Sequence, residues 1–269
     1  TYTSRDTILY ALGVGLGADP MDEQQLQYVF EEAEPFMALP TMAVVLGSPG
    51  FWSRDPKTGI DWVKVLHGEQ KMVIHNPLPT SATIKAKSKV TGLVDKGADK
   101  GALILTERTL KDADSGLDLA TLTSTTFARG NGGYDGPSDE APRPHKVPER
   151  EPDFSVDLTT LDMAALIYRL SGDYNPLHAN PSVAKAAGFP KPILHGLCSL
   201  GVAGHAILKG CCDYDAKRLK SLQLRFSSPV YPGETVRTEI WRDGANISFK
   251  SKIVERDVVV LDNGHATVE

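Results

Sequence analysis

The sequence predicts an α+β chain built from two related halves, each opening on helix and closing on antiparallel strands. Three observations carry this. From Lys71 to Arg129 the apolar period is two, which is the pattern of half-buried strands. Gly130 to Asp153 breaks the pattern with Gly130, Gly132, Gly133, Gly136 and five prolines between Pro137 and Pro152. Proline donates no backbone N–H, so neither helix nor central strand fits there. After the break the same order of elements restarts. Asn76 to Gly92 lies on Ser228 to Gly244 at one constant offset, with Pro77 on Pro229, Thr83 on Thr235, Ile84 on Val236 and Gly92 on Gly244. The expected organisation is a first repeat over 1–129, a linker over 130–153 and a second repeat over 154–269.

In order along the chain, Asp6 to Leu16 reads as a helix with Ile8, Leu9, Leu12 and Leu16 on one face, stopped by Gly13, Gly15 and Gly17. Asp22 to Glu34 reads as a polar helix with Leu26, Val29 and Phe30 inward. Pro40 to Leu46 is a brief apolar run expected to enter the core as a strand. Gly47 to Gly59 reads as a loop. Strands are expected at Lys71–His75, Ala82–Val94, Gly101–Lys111 and Leu117–Arg129. In the second of these, Ile84, Ala86, Ser88 and Val90 alternate with Lys85, Lys87 and Lys89, a half-exposed strand with a solvated basic face. Past the linker come a helix at Thr159–Leu170, a short one near Ser182–Ala187, a longer one at Gly196–Lys209, and strands to the end.

The 269 residues are 41% hydrophobic with a net charge of −5, so no basic field points to nucleic acid. No apolar run approaches the roughly 20 residues that span a bilayer. Three cysteines, Cys198, Cys211 and Cys212, two of them adjacent, do not make a disulfide framework and fit a reducing compartment.

Chemistry concentrates between Tyr168 and Leu200. The run Ser171-Gly172-Asp173-Tyr174-Asn175-Pro176-Leu177-His178 sets a carboxylate, an amide and an imidazole on one loop that Gly172 and Pro176 keep from continuing as helix. An acid and an imidazole so placed hold one water between them and exchange protons with it near neutral pH. Asn175 does not titrate and is left to orient the water or His178. Leu177 is expected to anchor the turn inward. The competing reading is an Asx turn in which Asp173 and Asn175 only bond their own backbone. Pro192-Ile193-Leu194-His195-Gly196 then delivers a glycine to the start of a buried helix, whose first N–H groups lack intrahelical partners. Gly196 N–H is there placed as an oxyanion donor. His195 reads as a core or helix-cap histidine. A metal set of His178, His195 and His205 matches no compact ligand spacing, and no metal or redox cofactor is expected. In the first half the corresponding loop is Gly17-Ala18-Asp19-Pro20, with no asparagine or histidine after it.

These residues, Tyr168 to His178 followed by Pro192 to Gly201, resemble the MaoC-like hydratases. The likeness is to enoyl-CoA hydratase 2, above all the hydratase module of fungal peroxisomal multifunctional β-oxidation enzymes. It covers nearly the whole chain. It implies a double hot-dog fold, in which each repeat wraps a long helix in an antiparallel sheet. It implies hydration of trans-2-enoyl-CoA to (R)-3-hydroxyacyl-CoA, with Asp173 and His178 acting on the water, Asn175 beside them and Gly196 holding the thioester oxygen. It further implies CoA contacts at His67, Gly68, Lys96 and Arg225, and loop contacts to substrate from Tyr174, Pro176 and Leu177. A homodimer, peroxisomal location and membership of a larger multifunctional chain are also implied. The final residues, His265 to Glu269, match no targeting tripeptide, so a truncated chain is expected. An acyl-CoA thioesterase and a non-enzymatic acyl-CoA binding module remain as alternatives.

Overall fold

The computed structural model describes residues 1–138 and 141–269. Helices α1 (Ser4–Gly13) and α2 (Glu23–Val29) precede strands β1 (Val65–Ile74), β2 (Ile84–Asp95), β3 (Ala102–Asp112) and β4 (Asp118–Ala128). The second half runs β5 (Phe154–Thr159), α3 (Ala164–Tyr168), α4 (Pro181–Ala186), α5 (Gly196–Cys211), β6 (Leu219–Phe226), β7 (Thr235–Asp243), β8 (Asn246–Ile253) and β9 (Val258–Val268). All these strands form one antiparallel sheet in the order β2-β3-β4-β1-β6-β9-β8-β7-β5. The two repeats meet where β1 pairs β6, from Glu69 opposite Arg225 to Val73 opposite Ser221. This is the double hot-dog arrangement. The repeat extends to the fifth strand: β5 pairs β7, and in the first half Tyr2 makes a single bridge to Ala82 just ahead of β2.

The central helix is long in the second repeat only. α5 has 16 residues and an apolar, small-residue surface buried from Cys198 to Leu208. Its glycines permit close packing: a Cβ at Gly201 would lie 2.5 Å from Val14 Cγ1, and one at Gly204 2.4 Å from Thr41 Cγ2. In the first repeat, Pro40–Val45 is a short 3₁₀ turn packed against α5, β1 and β4. The expected strand is absent because Pro40 opens the segment as a helical turn and Gly47 closes it at a φ of 58°.

Four further expectations change. Phe154–Thr159 is an unexpected strand that takes in Thr159, the expected helix start, and α3 is only five residues long. β1 begins at Val65, six residues before the expected Lys71. In α2 the inward side chains are Gln25 and Tyr28, while Phe30 is exposed. Their polar atoms are satisfied: Gln25 accepts from Gly17 N at 2.8 Å, and the Tyr28 hydroxyl donates to Tyr214 O. β2 is an edge strand exposed on both faces from Lys85 to Thr91, because among the described residues no helix covers it. Lysines on such an edge oppose pairing with another chain.

Segment 130–153, apart from positions 139 and 140, which lie outside the described residues, contains neither helix nor strand. It is packed, however. His145 Nε2 pairs with Ser248 Oγ at 2.8 Å, and Asn263 Nδ2 donates to His145 O at 2.7 Å. Trp241 Nε1 donates to Arg150 O at 2.7 Å. The segment thereby crosses the face of the sheet opposite α5.

Candidate active site

The loop after α3 is shaped by its own backbone bonds. Gly172 takes φ 121°, a conformation that a side chain would strain. Asp173 Oδ1 accepts from Asn175 N at 3.1 Å, and Asn175 Oδ1 accepts from Leu177 N at 3.1 Å. The Asx-turn reading is therefore right about the geometry of both residues. Asp173, Tyr174, Asn175 and Pro176 are exposed, and Leu177 is half-buried. The Tyr174 ring lies under the Arg169 guanidinium at 4.9 Å.

His178 is buried. Its Nδ1 donates to Ile193 O at 2.9 Å, which leaves Nε2 as the acceptor of the neutral ring. Burial pushes its pKa down, against the Ile193 bond and the Asp173 carboxylate. The His195 ring stacks on His178 at 3.8 Å and packs on Tyr168 at 5.1 Å. His195 Nε2 donates to the Asp173 main-chain oxygen at 3.1 Å. Burial, and then the adjacent His178, lower the His195 pKa to about 4. His195 occupies the N-cap position of α5 without capping through its side chain. It is buried, but it is not the satisfied core or cap histidine expected: Nδ1 is enclosed without a partner among the described residues, while Nε2 ties the helix start to the Asp173 turn. A carboxylate oxygen of Asp173 and ring nitrogens of His178 and His195 lie within 4.8 Å of one another. His205 is elsewhere, on Val14 O and the Tyr214 hydroxyl, so the three-histidine metal set does not assemble.

Gly196 is the first residue of α5, and among the described residues nothing accepts from its N–H. The Phe226 ring faces it; a Cβ at Gly196 would lie 3.2 Å from that ring. On the other side Phe226 packs on the His67 ring at 4.9 Å. His67 reaches this face because of a bulge. Between His67 and Glu69 the β1–β4 register shifts by one, leaving Gly68 unpaired. The shift puts His67 on the same side as Gln70, close enough to Asp173 for the carboxylate to act on its charge. A Cβ at Gly68 would lie 3.1 Å from Thr125 O.

The structure thus brings Asp173, His178, Gly196, His67 and Gly68 together at the meeting of the repeats. The other two cations are apart. Lys96 is exposed in the β2–β3 hairpin, three strands from β1 at the same end of the sheet. A cleft of about 590 Å³ lies beside Lys96 and Lys100, away from Asp173. Asp95 ties this hairpin to the linker by accepting from Gly97 N, Gly133 N and Tyr134 N at 2.7–2.8 Å. Arg225 lies on the opposite face of the sheet, 3.7 Å from Glu69, in a cleft of about 260 Å³ that Arg143 of the linker helps to line.

An acid–imidazole pair beside a free helix N-terminus, in a double hot-dog, defines a MaoC-like hydratase, and the chain belongs to that family. Residues 1–130 match the family described as the MFE-2 hydratase 2 N-terminal domain, and residues 144–264 match the MaoC-like domain. The chain is 39% identical to enoyl-CoA hydratase 2, peroxisomal, of Arabidopsis thaliana, over 97% of this chain and 88% of that protein. It is 38% identical to the mouse peroxisomal multifunctional enzyme type 2, covering 98% of this chain but 36% of that protein. The crystal structure of a MaoC-like dehydratase from Phytophthora capsici superposes with a TM-score of 0.88 at 39% identity, over 100% of this chain and 93% of that one.

Proposed function

We propose that this chain hydrates trans-2-enoyl-CoA to (R)-3-hydroxyacyl-CoA in fatty acid β-oxidation. The observation that carries the reading is the convergence of Asp173 and His178 beside the free Gly196 N–H. A separation of up to 4.8 Å between the acceptors fits one water hydrogen-bonded to both. The thioester oxygen rests on Gly196 N–H, which stabilises the enolate as the water oxygen bonds to C3. The proton that leaves the water is taken by the Asp173–His178 pair and returned to C2. Water is added whole, and no further reactant is consumed. Asn175 keeps the loop in shape, and Tyr174, Pro176 and Leu177 wall it. The second repeat, 154–269, holds the chemistry. The first, 1–129, holds acyl chain and CoA, and 130–153 joins them.

The assay is incubation with crotonyl-CoA. Loss of enoyl absorbance without release of thiol is the expected result; thiol release or no change refutes it. The side chain of Asp19, in the position that corresponds to the reactive loop, accepts from Met21 N at 2.9 Å and is exposed. Asp19→Ala should therefore leave crotonyl-CoA hydration within a few-fold of wild type.

CoA is proposed to run from His67 and Gly68 along the end of the sheet to Lys96, with Arg225 as a second phosphate cation. Lys96→Ala should raise KM more than it lowers kcat, the signature of uniform binding, and the effect should shrink in high salt. Arg225→Ala should raise KM less, because Glu69 already sits against Arg225. Unchanged KM in both variants would refute this CoA path. A homodimer, a peroxisomal location and membership of a longer multifunctional chain complete the proposal. Sedimentation and localisation of the tagged full-length protein test them.

A further inference from the structure

The face of the sheet that α5 covers in the second repeat is apolar, with Leu222, Leu224, Val236, Ile240 and Phe249 buried on it. The same face in the first repeat carries polar residues beside its buried Met72, Leu110, Ala120 and Leu122. Register places Gln70, Ser124 and Thr106 in one row on the side of Met72 and Leu122, and Arg108 and Ser88 in the next. Ser124 and Thr106 hydroxyls bond each other at 2.7 Å, and Gln70 is buried. Among the described residues no long helix lies above them; the Pro40–Val45 turn stands in its place.

Arg108 is the unusual member of this group. Its Nη2 donates to Val44 O, in that turn, at 2.6 Å. Its Nε is enclosed without a partner. Nη1 is neither enclosed nor bonded. Among the described residues no carboxylate pairs with it; Glu107, its neighbour, points to the other face and pairs with Lys89. Burial pulls its pKa down to about 10, with no anion opposing the shift. A guanidinium partly removed from water on one carbonyl is costly, and a planar donor fork is suited to a carboxylate. Its charge also acts on His67. From the Thr126 row, opposite His67, to the Leu122 row, opposite Arg108, is four residues of β4, about 13 Å at strand rise.

We infer that Arg108 is a subsite for a carboxylate at the far end of the acyl chain, so that the substrates include enoyl-CoA esters of dicarboxylic acids. This rests on the hydratase reading and on the acyl chain entering the first repeat. The test compares kcat/KM for trans-2-enoyl-CoA esters ending in methyl or in carboxylate, matched over a series of chain lengths. At one length or more the carboxylate-ended ester should be favoured. Arg108→Met should lower its kcat/KM about ten- to hundred-fold, the value of a hydrogen bond to a charged group. The methyl-ended ester should stay within a few-fold, as should inhibition by free CoA. Arg108→Lys, which keeps the charge, should recover part of the loss and is read on its own if Arg108→Met fails to fold. Preference for methyl at every length, or equal losses for both esters, overturns the inference while leaving hydration of the methyl-ended ester intact. A parallel loss of CoA inhibition would assign Arg108 to CoA phosphate and equally overturn it. Absence of hydration with either ester refutes the underlying function instead.

Discussion

Asp173→Ala and His178→Ala should each lower kcat by roughly 10²–10⁴, and the double variant should be scarcely worse than either. The reason is that both residues hold one water, so removal of either acceptor already misplaces it. Groups that act as a unit are strongly non-additive. Asn175→Ala should cost less, since its side chain only caps the Leu177 N–H. The fold should survive these changes at Asp173 and Asn175, which are exposed. His178 is buried against His195, so thermal unfolding must be read beside its activity. The pH dependence has a defined sign. The reaction needs neutral His178, whose pKa burial holds below the ordinary imidazole value. Activity should therefore persist as pH falls past about 6.5, and be lost only on passing through that depressed value. Losses that multiply in the double variant would show that the two residues act independently. An (S) product, by chiral analysis after hydrolysis, would refute the assignment of the reaction face.

Gly196→Ala should lower kcat by roughly 10²–10³, the usual cost of losing one oxyanion donor. The added methyl would stand 3.2 Å from Phe226 Cε1 and 3.3 Å from Cδ1. That contact is tight but not prohibitive, and the ring is backed by His67 at 4.9 Å. The methyl and the displaced ring together obstruct approach of the thioester oxygen to the N–H. KM should change less than kcat, because the donor matters most once charge has moved onto the oxygen. A variant with normal kcat would place the carbonyl elsewhere.

Much of this site is local in sequence, which is why it is legible there. Asp173, Asn175 and His178 sit on one turn, and the glycine of a Pro-x-x-His-Gly run falls at a helix start wherever such a run precedes small apolar residues. The strands β2, β3 and β4 were equally plain from their period. What stayed hidden depends on tertiary partners. Phe154, Val156 and Leu158 alternate with Ser155, Asp157 and Thr159, a strand signal too short to compete with the helical pattern after it. Gln25 and Tyr28 point inward because acceptors and donors from Gly17 and Tyr214 await them. The bond from His195 to Asp173 spans 22 positions, and no spacing announces it. Arg108 looked like one more strand residue, since only the Pro40–Val45 turn, distant in sequence, folds over it and takes its hydrogen bond.

The pairing of β1 with β6 has a further result for how the molecule is made and lost. Each repeat, taken by itself, would end in an open strand edge along that seam, with unpaired N–H and C=O groups from Glu69 to Val73 or from Ser221 to Arg225. Exposed edges of this kind template pairing between chains. The duplicated halves are therefore not two foldable copies but complementary shields. During synthesis the first repeat must wait, with its edge bare, until β6 has emerged. Melting should likewise involve both repeats in one transition, since freeing either strands the edge of the other.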